Sequence, residues 1–290
     1  MPSRVSVPGE LVLDHVAHFV PRLDKAARAL EALGFAVTPE SVHQTQDGSA
    51  GTSNACVMLE HGYLEFLTPA ADTPNSRRVR ASMQRYAGVH LACFGTPDAE
   101  GEHRRLGDHG FSPLPVVDLK RVVEHNQTAQ FKVVRAKPEK MPEGRIQFVQ
   151  HHTPAALWQP RYLGHTNSVV KLACVFVVAD DPVATAARWA RFAALLPRPA
   201  DAFVHLPTAR GHVLIGRRDS WIALLGDAPA APALAGYAIE CRDTAALVSR
   251  CRLLGLPLRK LRENLYAVSL PQALGGAWLF GSRQGLGLPI

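Results

Sequence analysis

Residues 11–34 read LVLDHVAHFVPRLDKAARALEALG. The first ten alternate like a strand, the rest carry apolar side chains at helical spacing, and a glycine ends the run. Asp24 is the expected helix N-cap. Strand-like pieces follow in FAVTP (35–39), NACVMLEHG (54–62) and GYLEFLTP (62–69). The unit is therefore one strand, one helix and three strands, βαβββ.

The order recurs downstream, and internal repetition fixes a fold more firmly than any local propensity. A second unit runs GVHLACFG (88–95), a turn at Pro97 and Asp98, a helix ending in HRRLGDHGF (103–111), then VVDLKRVV (116–123), TAQFKVVR (128–135) and GRIQFVQ (144–150). A third runs KLACVFVVADDP (171–182), VATAARWARFAALL (183–196), DAFVHLP (201–207), GHVLIGR (211–217) and SWIALLG (220–226). A fourth runs GYAIECRD (236–243), TAALVSRCRLLGLPL (244–258), NLYAVSLP (264–271) and GAWLFGS (276–282). Asp181 and Asp243 again precede helices. The aperiodic HHTPAALWQPRYLGHTNSVV (151–170) holds the linker, and APAAPALAG (228–236) is a lesser connector. The expectation is an α+β protein of four βαβββ modules, paired into two domains at 10–155 and 169–283 with a linker at 156–168, curved mixed sheets and helices on their outer faces.

A chain of 290 residues with 47% hydrophobic content can bury a sizeable core. Its net charge of +7 is scattered, with Arg77, Arg78 and Arg80 the tight cluster, which hints at an anionic small-molecule substrate and argues against nucleic acid. Five cysteines, Cys56, Cys93, Cys174, Cys241 and Cys251, form no CxxC pair and fit a reducing compartment. No apolar run reaches the about 18 residues of a membrane span, and no signal-peptide stretch opens the chain. A cytoplasmic protein without membrane partners is expected; a homodimer is left open.

Superposing LDHVAHF (13–19) on GVHLACF (88–94) brings His15 onto His90, and GYLEF (62–66) on GRIQF (144–148) brings Glu65 onto Gln147. Each is a polar side chain inside an apolar strand, where it is costly unless paired or bound to a cation. Two imidazoles and a carboxylate form a facial-triad ligand set for a divalent metal, Fe, Mn, Ni or Zn, with Gln147 able to add an amide oxygen. Taken singly, each has an ordinary alternative as a satisfied core histidine or a solvent-facing glutamate. His18 lies on the opposite face of its strand. Cys174 and Ala223 stand at the places of His15 and Glu65 in the third unit and Ala238 at that of His90 in the fourth, so a second site is not expected. His43, Thr52, Asn54, and from the linker His151, His152, Trp158, Arg161, His165 and Asn167, are candidate binding groups on loops over a rigid scaffold. Cys56 reads as core.

The modules and these residues resemble the vicinal oxygen chelate superfamily, and in particular its glyoxalase-like branch. The matching pieces are LDHVAHFVPRLDKAARALEALGF, GTSNACVMLEHGYLEFLTP and GVHLACFGTPD, with the linker between the halves. The resemblance implies paired modules closed around a divalent metal held by His15, Glu65, His90 and Gln147, which chelates adjacent oxygens of a small substrate. His151 and His165 would then transfer protons. Gln147 departs from the isomerases, which carry a second carboxylate there; an amide is no base, and two histidines with one glutamate are closer to the ring-cleaving extradiol dioxygenases. Lyase, isomerase and dioxygenase stay open. The superfamily also holds metal-free proteins that sequester antibiotics, which makes a binding protein the alternative.

Overall fold

The computed structural model describes residues 5–123 and 127–287. In chain order the N-terminal half comprises β1 (Val12–Phe19), α1 (Leu23–Ala32), β2 (Ser41–Thr45), β3 (Gly48–Met58), β4 (Tyr63–Pro69), α2 (Pro74–Arg85), β5 (Gly88–Gly95), α3 (Ala99–Asp108), β6 (Val117–Val122), β7 (Thr128–Arg135) and β8 (Arg145–His151). A short helix, α4 (Pro154–Leu157), opens the linker. The C-terminal half comprises β9 (Val169–Val178), α5 (Pro182–Ala193), β10 (Arg198–Ala200), β11 (Phe203–Pro207), β12 (His212–Gly216), α6 (Arg218–Leu225), β13 (Ala233–Cys241), α7 (Ala245–Leu253), β14 (Leu258–Arg262), β15 (Leu265–Ser269), β16 (Ala277–Gly281) and α8 (Arg283–Leu286).

In every module the first strand runs parallel to the last, and the other two follow antiparallel. The first strands of paired modules meet antiparallel, β1 with β5 and β9 with β13. In the N-terminal half β2 also pairs with β6, closing a barrel in the order β1-β4-β3-β2-β6-β7-β8-β5. The C-terminal eight strands form an open sheet in the corresponding order.

Helices α1, α3, α5 and α7 lie on the outer faces, and there the two halves share one core. Leu23, Ala26 and Leu30 of α1, Leu106 of α3, Trp189 and Phe192 of α5 and Leu247 and Cys251 of α7 belong to a single buried cluster. Phe94 and Phe148 on the outside of the barrel meet Trp189 and Phe192, with Phe148 and Phe192 stacked at 5.1 Å. A fully buried leucine or phenylalanine contributes about 1.5–3 kcal/mol, so this shared layer holds the halves together. No described helix is long and apolar enough to cross a membrane.

Several elements depart from the sequence expectation. FAVTP is not a strand; it leads into β2 and is tied by Thr38 to Cys56. Asp24 lies inside the first turn of α1, where Arg22 and Arg28 hold it and its charge faces the positive end of the helix dipole; Arg22 is the N-cap. Asp98 and Asp181 do cap α3 and α5. SWIALLG forms most of α6, ended by Gly226 in the left-handed conformation that a glycine enters without strain. Trp221 and Leu225, one helical turn apart, lie on the sheet face opposite the shared core, with Trp221 stacked on Phe176 at 4.5 Å. The C-terminal sheet is thereby filled where the barrel is hollow.

Candidate functional site

Inward-facing positions recur every second residue along a strand, and in the barrel they are His43 and Thr45, Thr52 and Asn54, Tyr63, Glu65 and Leu67, Val117, Leu119 and Arg121, Phe131, Val133 and Arg135, and Arg145, Gln147 and Val149. With His15 and Leu91 they enclose a cavity of about 190 Å³. That exceeds the roughly 150 Å³ of an apolar cavity that accepts benzene, so a small molecule fits.

His15 is the centre of a chain of polar contacts. Its Nδ1 donates to Asp14 at 2.7 Å, and its Nε2 lies 3.9 Å from Glu65 Oε2. Tyr63 stacks on its ring at 4.3 Å. Burial pulls the His15 proton affinity down, but the neighbouring Cys93 sulfur and the Asp14 carboxylate outweigh it and leave the imidazolium favoured well above the ordinary range. Burial works against the Asp14 charge too, yet His151 and His15 hold that carboxyl below its usual range. Glu65 accepts from Asn54 Nδ2 at 2.5 Å and is kept ionised, despite burial, chiefly by His15, with Asn54 and Arg121. Asn54 also donates to His43 Nε2, so His43 carries its proton on Nδ1 toward Thr52; burial holds its pKa down to about 4, and it is neutral.

Three guanidiniums face this group. Arg121, 3% exposed, donates from Nη1 to Asn54 and touches Cys56 with Nη2, while its Nε has no partner. Arg135 donates to Gln147 Oε1 at 3.0 Å. Arg145 lies over the Phe19 ring at 5.4 Å, and burial, Arg135 and Arg78 lower its pKa to about 9. Among the described residues none of the three has a carboxylate within ion-pair distance. Glu65 is the one acidic side chain lining the cavity.

Of the residues expected from sequence, His15, Glu65 and Gln147 converge here and His90 does not. β1 and β5 each carry a bulge, at Asp14 and at His90, because Leu13 pairs with Phe94 while His15 pairs with Cys93, and Ala17 pairs with Leu91 while His18 pairs with Val89. Asp14 is thus the counterpart of His90, and the counterpart of His15 is Leu91. The next strands agree: Ala17 pairs with Glu65 and Cys93 with Gln147. His90 is instead stacked between Tyr86 and Phe19 and donates from Nε2 to the Tyr86 carbonyl. In the third module Leu214 occupies the place of Glu65, since it pairs with Phe176 as Glu65 does with Ala17; Ala223 is on α6.

The linker histidines separate. His151 donates to Asp14 at 3.1 Å, so it reaches the site through that carboxylate without lining the cavity. His165 accepts from the Ala36 amide and donates to the Met58 carbonyl, which ties the linker to the sheet and leaves it no free nitrogen for proton transfer. Trp158 donates to Leu59 O and, with Leu157 and Tyr162, packs beneath Tyr63 and Cys56, closing one end of the barrel. His18 faces the other half, bonded to Leu274 O and Tyr237 Oη.

A divalent cation fits this donor set poorly. His15 and Glu65 remain, Leu91 stands where a second histidine is needed, Gln147 is engaged by Arg135, and three guanidiniums repel a positive ion. Among the described residues no cluster of three His, Cys, Asp or Glu side chains forms a cation site.

The sequence profile of the family described as "Glyoxalase-like domain" matches residues 13–193. The chain belongs to this glyoxalase-like family. No curated protein sequence matches it. Among solved structures, a hypothetical protein from Staphylococcus aureus superposes with a TM-score of 0.62 at 12% identity, over 94% of this chain and 99% of that one. A Mn(II)-bound glyoxalase from Novosphingobium aromaticivorans gives 0.56 at 9%, over 93% and 81%. A mutant 4-hydroxymandelate synthase from Streptomyces coelicolor gives 0.51 at 13%, over 94% of each. At such identities the likeness establishes the shared fold alone.

Proposed function

We propose that the N-terminal barrel binds a small, oxygen-rich anion and that Glu65 and His15 move a proton on it, as a lyase or isomerase would. The observation that carries this reading is the set of Arg121, Arg135 and Arg145 around a cavity whose walls hold a single carboxylate. Guanidiniums suit carboxylate and phosphate oxygens, and a partly dry cavity strengthens that attraction. Glu65 as base and His15 as acid, with Asp14 behind the imidazole, form a carboxylate and an imidazolium within reach of one ligand.

The second reading is a metal-dependent enzyme of the same fold, supported by the His15 to Glu65 distance and by Asp14, which stands behind His15 as carboxylates stand behind metal-bound histidines. The Mn(II)-bound glyoxalase is a structural relative in this sense.

Calorimetry on untagged protein separates the two. The anionic reading expects inorganic phosphate or a short carboxylate to bind the wild type and to lose at least about tenfold in affinity in Arg121→Gln, where one charged hydrogen-bonding group contributes about 1.5–3 kcal/mol. Mn(II) or Fe(II) bound at one per chain and lost on His15→Ala would overturn it in favour of the metal enzyme.

A further inference from the structure

The barrel cavity does not end at Arg135 and Arg145. Those two guanidiniums and Asn75 also line a second chamber of about 240 Å³, beside α2, whose Val79 packs on the cavity residues Leu67, Leu91, Val133 and Val149. Its other walls come from α2, which presents Asn75, Arg78, Ser82 and Arg85 along one helical face, and from the segment carrying Lys137, Pro138 and Met141. Five basic side chains, Arg78, Arg85, Arg135, Lys137 and Arg145, line this chamber and no acidic one does. Of the acidic residues close to these walls in sequence, Asp72 is turned to Arg77 and Arg80 on another side of the helix, Glu143 pairs with Arg188, and neither they nor Glu139 line the chamber. Arg85 spends its guanidinium on the carbonyls of Pro142 and Pro232, neutral acceptors that leave its charge uncompensated. Arg78 lies close enough to lower the proton affinity of both Arg135 and Arg145, although burial is the larger cause. Like charges gathered around a concavity repel one another unless an anion enters.

We propose that this chamber is a second anion subsite, so that the ligand is an elongated small molecule with an anionic group at each end. One end lies in the barrel beside Glu65 and His15, the other against α2, and Arg135 and Arg145 stand at the neck between them. The inference rests on the anionic reading of the barrel and adds the second charge and the elongated shape.

The test is calorimetric, with linear dicarboxylates from succinate to suberate as rulers and propionate as the one-ended control. Joining two binding ends raises affinity about a hundredfold or more when the spacer matches the span, and falls away on either side. The expected result is an optimum length that binds at least about a hundredfold tighter than propionate and drops to the propionate level in R78Q/R85Q. Both arginines are exposed, so the variant should keep its fold and its propionate affinity, with a small drop in melting temperature from the lost carbonyl bonds of Arg85. Affinity independent of length, or a length optimum unchanged in R78Q/R85Q and in K137Q, overturns the second subsite while propionate binding lost in Arg121→Gln keeps the barrel reading alive. Failure of every anion to bind overturns both.

Discussion

Glu65 decides what the barrel can do, because it is the lone carboxylate among three guanidiniums and two histidines. It repels an anionic ligand and, as a base, gives that ligand a destination for its proton. Glu65→Gln separates the two effects. The amide keeps an oxygen for Asn54 but loses the charge, so phosphate affinity should rise by about tenfold, as roughly 1.4 kcal/mol of relieved repulsion requires, while any proton transfer stops. A titration showing weaker phosphate binding in Glu65→Gln would mean that the carboxylate contacts a cation or a ligand hydroxyl instead. His15, Glu65 and Gln147 were legible in the sequence since each interrupts an apolar strand. The arginines were not: Arg121, Arg135 and Arg145 stand toward strand ends, where a charge is ordinarily solvated, and only closure of the barrel turns their side of the strand inward. The two-residue period running from Gln147 to Arg145, and from Val133 to Arg135, was the signal that could have exposed them.

Among the elements, the bulges in β1 and β5 explain why His90 was misread. Both strands align without gaps by sequence, and the match of His15 with His90 is attractive, but an inserted residue in each strand moves the true counterpart by one position. Sequence pattern specifies that strands pair and says little about where a bulge falls. The same limit applies to α6, whose apolar run of SWIALLG is as compatible with a strand as with two turns of helix; Gly226 and the spacing of Trp221 and Leu225 favour the helix. That helix fills the face of the C-terminal sheet that corresponds to the inside of the barrel. Trp221 is fully buried, stacked on Phe176 and donating to the Val177 carbonyl. Trp221→Ala should cost about 3–5 kcal/mol, read from the urea midpoint. Phosphate affinity should stay within about twofold of wild type, because the anion cavity belongs to the other sheet; a large loss would show that the filled sheet shapes the barrel.

At the scale of the whole molecule, the repeat was legible because four strand-helix-strand recurrences are hard to mimic, while the joining of the halves was not, since it rests on side chains that meet only after folding. Buried histidines tie that joint to pH. His18 is enclosed between β1 and Tyr237 of the other half, His90 between Phe19 and Tyr86, whose hydroxyl accepts the Leu234 amide across the same boundary, and His43 lies within the barrel. Burial holds all three down to about 4, even though backbone carbonyls partly support His18 and His90 and Glu65 supports His43. An unfolded histidine titrates near about 6.5. Between those limits the unfolded chain binds more protons than the folded one, so stability is intact above pH 6.5 and is lost as pH falls toward 4. Each histidine contributes about 1.4 kcal/mol per pH unit on that limb. His15 adds no slope there, since with its raised pKa it is protonated in both states below 6.5; its contribution declines only as pH rises above that value. Asp14, held low, acts below the same window. Burial also holds His212 down to about 4 and lowers His61, His165 and His205, so urea midpoints measured at pH 6.5, 5.75 and 5.0 should fall steeply, and His18→Phe should flatten the fall by no more than about a quarter whatever its effect on stability at pH 8. A midpoint that stays level down to pH 5 would mean that these imidazoles reach solvent when protonated, and that the boundary between the halves opens without unfolding either sheet.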